Sequence, residues 1–134
     1  MGEIARIHRA GIELELAQIG HQLDPKYSLY WFEQVWDIQD CEIKTYEIDG
    51  KTVGFITVVA GEIMIYVDPD HHRKGIGSEL INQLSGMVWV LKGNKPAEKF
   101  YKKNGFHNTG EIKNMVMFGH EAVAYLWERG EYAS

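Results

Sequence analysis

The stretch YVDPDHHRKGIGSEL, residues 66 to 80, combines the residue types that bind an anion. A strand-like run leads into the cations Arg73 and Lys74, after which Gly75 and Gly77 open a predicted helix. Glycines lack Cβ, so their backbone N–H groups can approach an anion closely, and the first helical turn leaves such groups unpaired. The helix dipole adds about half a positive charge at the same end. The pattern predicts a cradle for a phosphate or pyrophosphate.

Two other phosphate-binding loops do not fit this stretch. A dinucleotide fingerprint requires a third glycine three residues after Gly77, where the sequence has Leu80. A Walker loop requires Gly-Lys-Ser/Thr four residues after its first glycine, and the sequence contains no such run. The cradle is therefore predicted to be of another kind.

The elements around this stretch predict a mixed α/β sandwich in which helices cover a sheet. Apolar spacing and stop signals predict helices over residues 3–20, from Gly75 to about Ser85, and over 94–105, whereas 27–37 fits a short helix or an aromatic-rich loop. Alternating or β-branched runs, with an Asp49-Gly50 hairpin turn and a turn at Gly119-His120, predict strands over 41–48, 51–60, 61–68, 87–91, 111–118 and 122–128.

Length and composition exclude several protein classes. The 134 residues suit one domain, 1–134, and 45% hydrophobic with 25% charged residues is typical of a globular protein. No apolar run approaches the roughly 18 residues of a membrane span, and no signal peptide is visible. Cys41 is the single cysteine, so no internal disulfide can form. We therefore expect a cytoplasmic protein that does not enter a membrane.

The charge is unevenly distributed along the chain. Residues 71–105 hold seven of the fourteen Lys and Arg but two acids, so this window carries +5 and, against a total of −5, the remainder carries −10. A nucleic-acid binder is usually basic over a whole face, and we expect no nucleic-acid partner. The pattern fits a compact anionic ligand and a cationic second substrate, although composition alone would favour a solvated, Lys-rich helix surface.

Two stretches resemble the motifs of one known family. Residues 67–80 resemble motif A of the GNAT superfamily, the acyl-CoA-dependent N-acetyltransferases, and Asn94-x-x-Ala97-x-x-Phe100-Tyr101-x-x-x-Gly105-Phe106 resembles motif B. The resemblance is close over 61–107 and loose elsewhere. It implies a GNAT-like α/β fold: a central, mostly antiparallel sheet of about six to seven strands, flanked by helices and splayed between the strands at 62–68 and 87–91.

The resemblance assigns roles to residues of both motifs. Ile65, Tyr66 and Val67 match the end of the splayed strand whose backbone pairs with the pantetheine arm and polarises the thioester carbonyl. Asn94 matches the side chain that contacts the cofactor's arm, and Tyr101 matches the phenol that protonates the departing thiolate as general acid. The implied pyrophosphate cradle consists of Arg73, Lys74, Gly75, Ile76, Gly77 and Ser78.

The general base stays open at this point. Glu62, early on the strand of Tyr66, resembles the glutamate base of the histone-acetylating branch, and a half-buried position would raise its pKa toward neutrality. An exposed charge at a strand start explains Glu62 equally well, and His107 and a water chain are rivals. The family pattern is broken by His72 at the usual Gln/Arg position and by Trp89 where ribosomal-protein-acetylating members have Glu.

Two aromatic or apolar sets have simpler interpretations. The first lies where the family's acceptor-binding loops usually are and fits either a substrate pocket or the core: Tyr27, Tyr30, Trp31 and Trp36. The second predicts core packing: Phe100, Phe106, Met115 and Met117. Adjacent His71 and His72 lack the spacing of a metal site, and we expect no metal.

Taken with the resemblance, the sequence implies an acetyltransferase that binds acetyl-CoA and passes the acetyl group directly to a primary amine. A catalytically weak or inactive acyl-CoA-binding sensor or scaffold of the same fold is the alternative. The acceptor stays open among small amines, aminoglycosides, a protein lysine, an N-terminus and aminoacyl-tRNA. Members of the family commonly dimerise through their last strands, so a homodimer is compatible with the sequence, which does not require one.

Overall fold

The computed structural model describes residues 2–130, which form a six-stranded sheet covered by helices on both faces. Along the chain the elements are α1 (Gly2–Gln18), α2 (Leu29–Asp37), β1 (Ile43–Ile48), β2 (Lys51–Val59), β3 (Glu62–Val67), a 3-10 turn (Pro69–His71), α3 (Ile76–Leu80), β4 (Met87–Leu91), α4 (Lys95–Lys103), β5 (Phe106–Met117) and β6 (His120–Arg129). Among these residues no helix combines the length and apolarity that crossing a membrane requires.

The sheet has the strand order β1-β2-β3-β4-β6-β5. Four neighbouring pairs are antiparallel, and the central pair β3 and β4 is parallel. Within the described chain, β3 and β4 pair at one position, Glu62 opposite Met87, and beyond it they diverge. The α/β fold with a mostly antiparallel, splayed sheet is therefore confirmed, with six strands.

Side chains alternate between two buried layers because successive strand residues point to opposite faces of a sheet. The layer under α1 and α2 contains Phe55, with Met64 and Tyr66 packed at its edge. The layer under α3 and α4 contains Ile56 and Ile63. Arg6 of α1 donates to the Asp68 carboxylate at 3.0 Å, which fastens that helix to the carboxyl end of β3.

Two local predictions need adjustment, and one open alternative is decided. The helix predicted to run from Gly75 to Ser85 ends at Leu80, because the chain then turns to reach β4; Gln83 N donates to Leu80 O at 2.9 Å in a tight turn. The last hairpin turns at Phe118 and Gly119, both with positive φ, so His120 already belongs to β6. The residues 27–37 contain a helix, capped by Ser28, whose hydroxyl accepts from Trp31 N at 3.2 Å.

The strand predicted over 111–118 starts five residues earlier, at Phe106. Its first part is interrupted by Asn108-Thr109-Gly110, where the register with β6 shifts and Gly110 has φ +85°. Turn-forming residues inside a strand hide it from pattern analysis, and the Thr109 hydroxyl keeps the segment attached to β6 by donating to Leu126 O at 2.9 Å.

Candidate active site between strands β3 and β4

The gap beside β3 presents main-chain groups without a neighbouring strand. Asp68 N donates to Val53 O of β2 at 2.8 Å. In an antiparallel pair every second residue directs its backbone N–H and C=O to the same neighbour, so the backbone of Tyr66 also bonds to β2. By the same alternation Ile65 and Val67 point their N–H and C=O groups toward β4, which has already diverged. Two of the three predicted strand residues therefore offer backbone to the gap, and Tyr66 contributes its side chain on the α1 face.

His72 closes the carboxyl end of this strand. Its Nε2 lies 2.9 Å from Val67 O and donates to it, which ties the loop after β3 back onto the strand. Its neighbour His71 turns the other way, with Nδ1 3.9 Å from the Asp68 carboxylate. The two rings thus serve different partners, and in the described part of the chain no group of three or more His, Cys, Asp or Glu could hold a metal.

The predicted cradle is a tight loop with two cations on its outer side. Arg73 and Gly75 have φ of +66° and +77°, the left-handed region, and Gly75 is the N-cap of α3. That conformation explains the glycine at 75, since a side chain there would be strained. Arg73 and Lys74 are exposed. The loop therefore places full positive charge beside the first N–H groups of α3.

The inner side of the cradle packs against α4. Ile76 is 2% exposed and belongs to the core under α3 and α4. A Cβ on Gly77 would lie 2.9 Å from the Phe100 ring, so this glycine permits close packing of the two helices. The Ser78 hydroxyl accepts from Asn104 Nδ2 at 3.3 Å. These contacts fix the cradle relative to α4.

The two motif B residues lie along α4. Asn94 is the N-cap, and its Oδ1 accepts from Ala97 N at 3.4 Å, which leaves the side-chain amide nitrogen as the donor to a cofactor. Tyr101 is 7% exposed and packs edge-on against Phe100 and Phe106, with ring centroids 5.2 and 5.3 Å away. Burial raises the pKa of Tyr101 well above its ordinary value, and two carboxylates described below add to the effect.

Glu62 lies where β3 still pairs with β4, at the closed end of the gap. It is half-buried, and its carboxylate accepts from the backbone N–H of Trp89. Burial raises the pKa of Glu62, whereas the charge of Lys113 and the Trp89 N–H oppose that rise by stabilising the anion. Lys113 Nζ also lies 4.3 Å from the centroid of the Trp89 ring. Glu62 is therefore at the closed end of the gap, and its two partners offset part of the cost of burying its charge.

His107, one rival for the base, and the single cysteine both lie away from the gap. His107 is on β5 opposite Glu128 of β6, so β6 stands between it and β4. Strands are about 4.8 Å apart, which puts the His107 backbone about 10 Å from β4. Cys41 precedes β1 at the opposite edge of the sheet. Neither side chain is brought together with Tyr101 and Glu62.

A carboxylate on α1 was not among the residues predicted from the sequence. Glu15 is partly buried, and the Tyr66 hydroxyl donates a hydrogen bond to its carboxylate. Burial raises the pKa of Glu15 to about 7, the Tyr66 hydrogen bond lowers it and the charge of Glu62 raises it. The signal was present in the sequence, because position 15 continues the buried stripe of α1 that includes His8, Gly11 and Ile12.

The aromatic residues near α1 and α2 divide into core and surface. Trp36 is buried and donates its Nε1–H to His8 Nδ1 at 3.1 Å; burial lowers the pKa of His8 to about 4, so the ring is a neutral acceptor. Tyr30 and Trp31 are 68% and 37% exposed on α2, and Tyr27 packs against Trp31. Of the four residues, Tyr30 and Trp31 are open to a ligand.

Tyr66 is held in place by a glycine, which gives a first prediction. A Cβ on Gly11 would fall inside the contact distance of the Tyr66 ring. We expect Gly11→Ala to lower the free energy of unfolding by about 1–3 kcal/mol through overpacking, measured by denaturant titration. Gly2→Ala is the matched control on the same helix, since its Cβ meets Glu33 at an ordinary 3.6 Å. Equal stability of the two variants would contradict this placement of Tyr66.

The chain is similar in sequence to acetyltransferases. The family model described as acetyltransferase (GNAT) domain matches residues 39–108. The peptidyl-lysine N-acetyltransferase YiaC of Escherichia coli is 30% identical over 90 residues, 58% of this chain and 62% of YiaC, so the chain spans less than two thirds of that relative.

Two solved structures share the fold at low sequence identity. The solution structure of apo YjaB from Escherichia coli superposes with a TM-score of 0.67 at 21% identity, covering 97% of this chain and 92% of YjaB. The PaiA N-acetyltransferase of Thermoplasma acidophilum, in complex with coenzyme A, gives 0.60 at 18% identity, covering 96% and 91%. At these identities the structures support the fold, and the family model supports the membership.

Proposed function

The chain belongs to the GNAT acetyltransferase family, and we propose that it transfers an acetyl group from acetyl-CoA directly to a primary amine. The observation that carries the proposal is the junction of two features. The open edge of β3, with the N–H groups of Ile65 and Val67, runs into the loop that carries Arg73 and Lys74. The edge of β3 would bind the extended pantetheine arm of acetyl-CoA, and the loop would bind its diphosphate.

In this proposal acetyl-CoA lies along the gap. Its pantetheine arm pairs with the β3 backbone at Ile65 and Val67, and its diphosphate binds the loop from Arg73 to Ser78. The Asn94 amide donates to the arm from the start of α4. The complex of PaiA with coenzyme A, on the same fold, supports the choice of cofactor. The donor set of the loop, backbone N–H groups with two exposed cations, suits a diphosphate.

The chemistry would follow from positioning and polarisation. A backbone N–H of β3 polarises the thioester carbonyl, and the amine attacks from the α1 face of the gap. Tyr101 stays protonated at physiological pH because its pKa is raised, so it can donate to the departing sulfur. The base that accepts the amine's proton is Glu62 or a water chain in this scheme, since β6 separates His107 from the gap.

The acceptor would be a cationic amine on a small molecule, peptide or protein. The chain outside 71–105 carries −10, which attracts ammonium groups, and Tyr30 and Trp31 offer exposed aromatic surface on α2. The relative YiaC is named for peptidyl-lysine, so lysine peptides belong among the candidates. We propose that this protein acts in the cytoplasm, whose reducing conditions suit a chain with a single cysteine.

A thiol-release screen tests the proposal. Acetyl-CoA is incubated with the protein and with polyamines, aminoglycosides, lysine peptides and peptides with free N-termini, while free CoA thiol is measured. We expect amine-dependent thiol release from at least one class. Binding of CoA without turnover on any amine would contradict the enzymatic proposal and favour the acyl-CoA-binding module.

A further inference from the structure

We propose that Glu15 is the general base for the acceptor amine and that Tyr66 positions its carboxylate at the gap between β3 and β4. This inference rests on the proposed function and names a residue for a step that the scheme above leaves to Glu62 or water. Glu15 lies on α1, outside both sequence motifs.

The placement of the pair is fixed by packing. The Tyr66 ring leans on Gly11, where a side chain would collide with it, and lies 5.0 Å from the His8 ring and 5.9 Å from the Phe55 ring. Its hydroxyl donates to Glu15, one helical turn beyond Gly11. Since Tyr66 belongs to the unpaired part of β3, the carboxylate that it holds is at the α1 side of the gap.

Glu15 also interacts electrostatically with the other candidate catalytic groups. The charge of Glu62 acts on Glu15, and the charges of both carboxylates act on Tyr101. Glu15, Glu62, Tyr66 and Tyr101 therefore form one electrostatic cluster contributed by α1, β3 and α4. Tyr101 belongs to the layer under α3 and α4 and Tyr66 to the layer under α1, so in this proposal the acid and Glu15 act from the two sides of the gap.

Glu15 is a better base than Glu62 for a physical reason. Burial raises the pKa of Glu62, but the charge of Lys113 and the Trp89 N–H stabilise its anion and oppose part of that rise. The Glu15 anion is buried and lies in the field of Glu62, and the Tyr66 hydroxyl offsets part of this cost. With its pKa raised to about 7, Glu15 binds a proton more readily than an ordinary glutamate.

The surrounding titratable groups do not change this assignment. Tyr66 and Glu62 on β3 are the groups that act on Glu15, and Tyr101 on α4 stays neutral because its pKa is raised. His8, on the same helix, stays neutral because burial lowers its pKa to about 4. Lys113 on β5 acts through Glu62. An arriving ammonium adds positive charge and keeps Glu15 ionised until the proton moves.

Glu15 takes one proton from the ammonium, and the freed nitrogen lone pair forms the C–N bond to the thioester carbon. The C–S bond breaks as the tetrahedral intermediate collapses, and the thiolate takes a proton from Tyr101. The nitrogen loses a second proton, which restores Tyr101, and Glu15 releases its proton to solvent. The products are the acetamide, CoA thiol and one proton.

The test compares three glutamine substitutions by kcat/KM against pH. We expect Glu15→Gln to reduce kcat/KM for the amine about 100-fold or more at pH 7.5 and to remove the rise of rate with pH near 7, with unchanged acetyl-CoA affinity. Glu13→Gln is the matched control, because Glu13 is exposed on the same helix in an ion pair with Arg9. If the rise of kcat/KM near pH 7 disappears in Glu62→Gln but remains in Glu15→Gln, the assignment of the base to Glu15 is overturned.

Tyr66→Phe tests the positioning residue separately. The phenylalanine keeps the ring but cannot donate the hydrogen bond to Glu15. Because that hydrogen bond lowers the pKa of Glu15, its loss raises this pKa and moves the rise of rate to higher pH. We expect kcat to fall and this rise to move to higher pH, with little change in acetyl-CoA affinity. A reduction in rate without any shift of this rise would mean that Tyr66 acts only in packing.

A binding readout distinguishes this inference from the proposed function. We expect the affinity of n-butylammonium for the CoA-loaded protein, measured by calorimetry at pH 8, to fall about tenfold in Glu15→Gln and to stay unchanged in Glu13→Gln. Equal affinity in the two variants would overturn the role of Glu15. If no amine is acetylated but Glu15→Gln still weakens n-butylammonium binding, the transferase proposal fails while Glu15 is supported as the ammonium-binding group.

Discussion

Gly77→Glu is expected to abolish measurable acetyl-CoA binding, raising Kd at least about 100-fold, or roughly 2.7 kcal/mol. A Cβ at this position already lies 2.9 Å from the Phe100 ring, so the longer side chain forces α3 away from α4 or turns into the loop. In either case the first N–H groups of α3 move, and a negative charge is placed beside the diphosphate. The measurement is titration calorimetry with acetyl-CoA.

Three further variants separate charge from bulk in this experiment. Gly77→Gln has the size of the glutamate without its charge, and we expect it to bind more tightly than Gly77→Glu. Gly77→Ala with Phe100→Ala gives the added methyl group room and should bind better than Gly77→Ala alone. Circular dichroism confirms that each variant folds. A folded Gly77→Glu protein with wild-type affinity would mean that the diphosphate binds elsewhere.

The fold could be predicted from the sequence, and the proposed cradle could be assigned to one loop, because both depend on local signals. A strand that ends in Asp68-Pro69-Asp70, a loop of cations and glycines, and the spacing of motif B are all readable within about forty residues. The reason predicted for Gly77 was incomplete, however. Close approach of an anion was expected at both positions, but Gly75 is required by its φ of +77° and Gly77 by the Phe100 ring.

The Glu15–Tyr66 pair illustrates what local patterns leave out. The two residues are far apart in the sequence and meet because α1 crosses β3 where Gly11 leaves room for a ring. Periodicity places Glu15 on the buried stripe of its helix, but which side chain it faces depends on the register of β3 and on the fit of one glycine. Such contacts follow from tertiary packing, which hydrophobic spacing does not encode.

The same reasoning separates the candidates for the base. Sequence order puts His107 close behind motif B, yet the strand order places β6 between it and the gap. Glu62 was predicted on a half-buried strand, and it is there, with a raised pKa. Its Trp89 and Lys113 partners, which stabilise the anion, come from β4 and β5 and are invisible to pattern analysis. The sequence therefore predicts where Glu62 lies but not how strongly it binds a proton.

Tyr101→Phe is expected to lower kcat by about 100- to 10,000-fold with acetyl-CoA affinity changed by less than about threefold. The phenylalanine keeps the edge-on contacts with Phe100 and Phe106, so the fold and the cradle are preserved. What is lost is a proton donor that burial and the charges of Glu15 and Glu62 keep protonated. The measurement is steady-state thiol release, with calorimetry for affinity.

The raised pKa of Tyr101 also determines how the donor works. A thiol ordinarily has a pKa near 8.5, so complete proton transfer from a much weaker acid to the thiolate is uphill. The phenol therefore stabilises the leaving sulfur by a hydrogen bond, and the transfer completes as the new amide nitrogen gives up its proton. Tyr125→Phe, which makes the same change in the same buried layer, is the matched control. If Tyr101→Phe retains wild-type kcat, or loses acetyl-CoA affinity in proportion to its rate, the phenol contributes packing and another group protonates the sulfur.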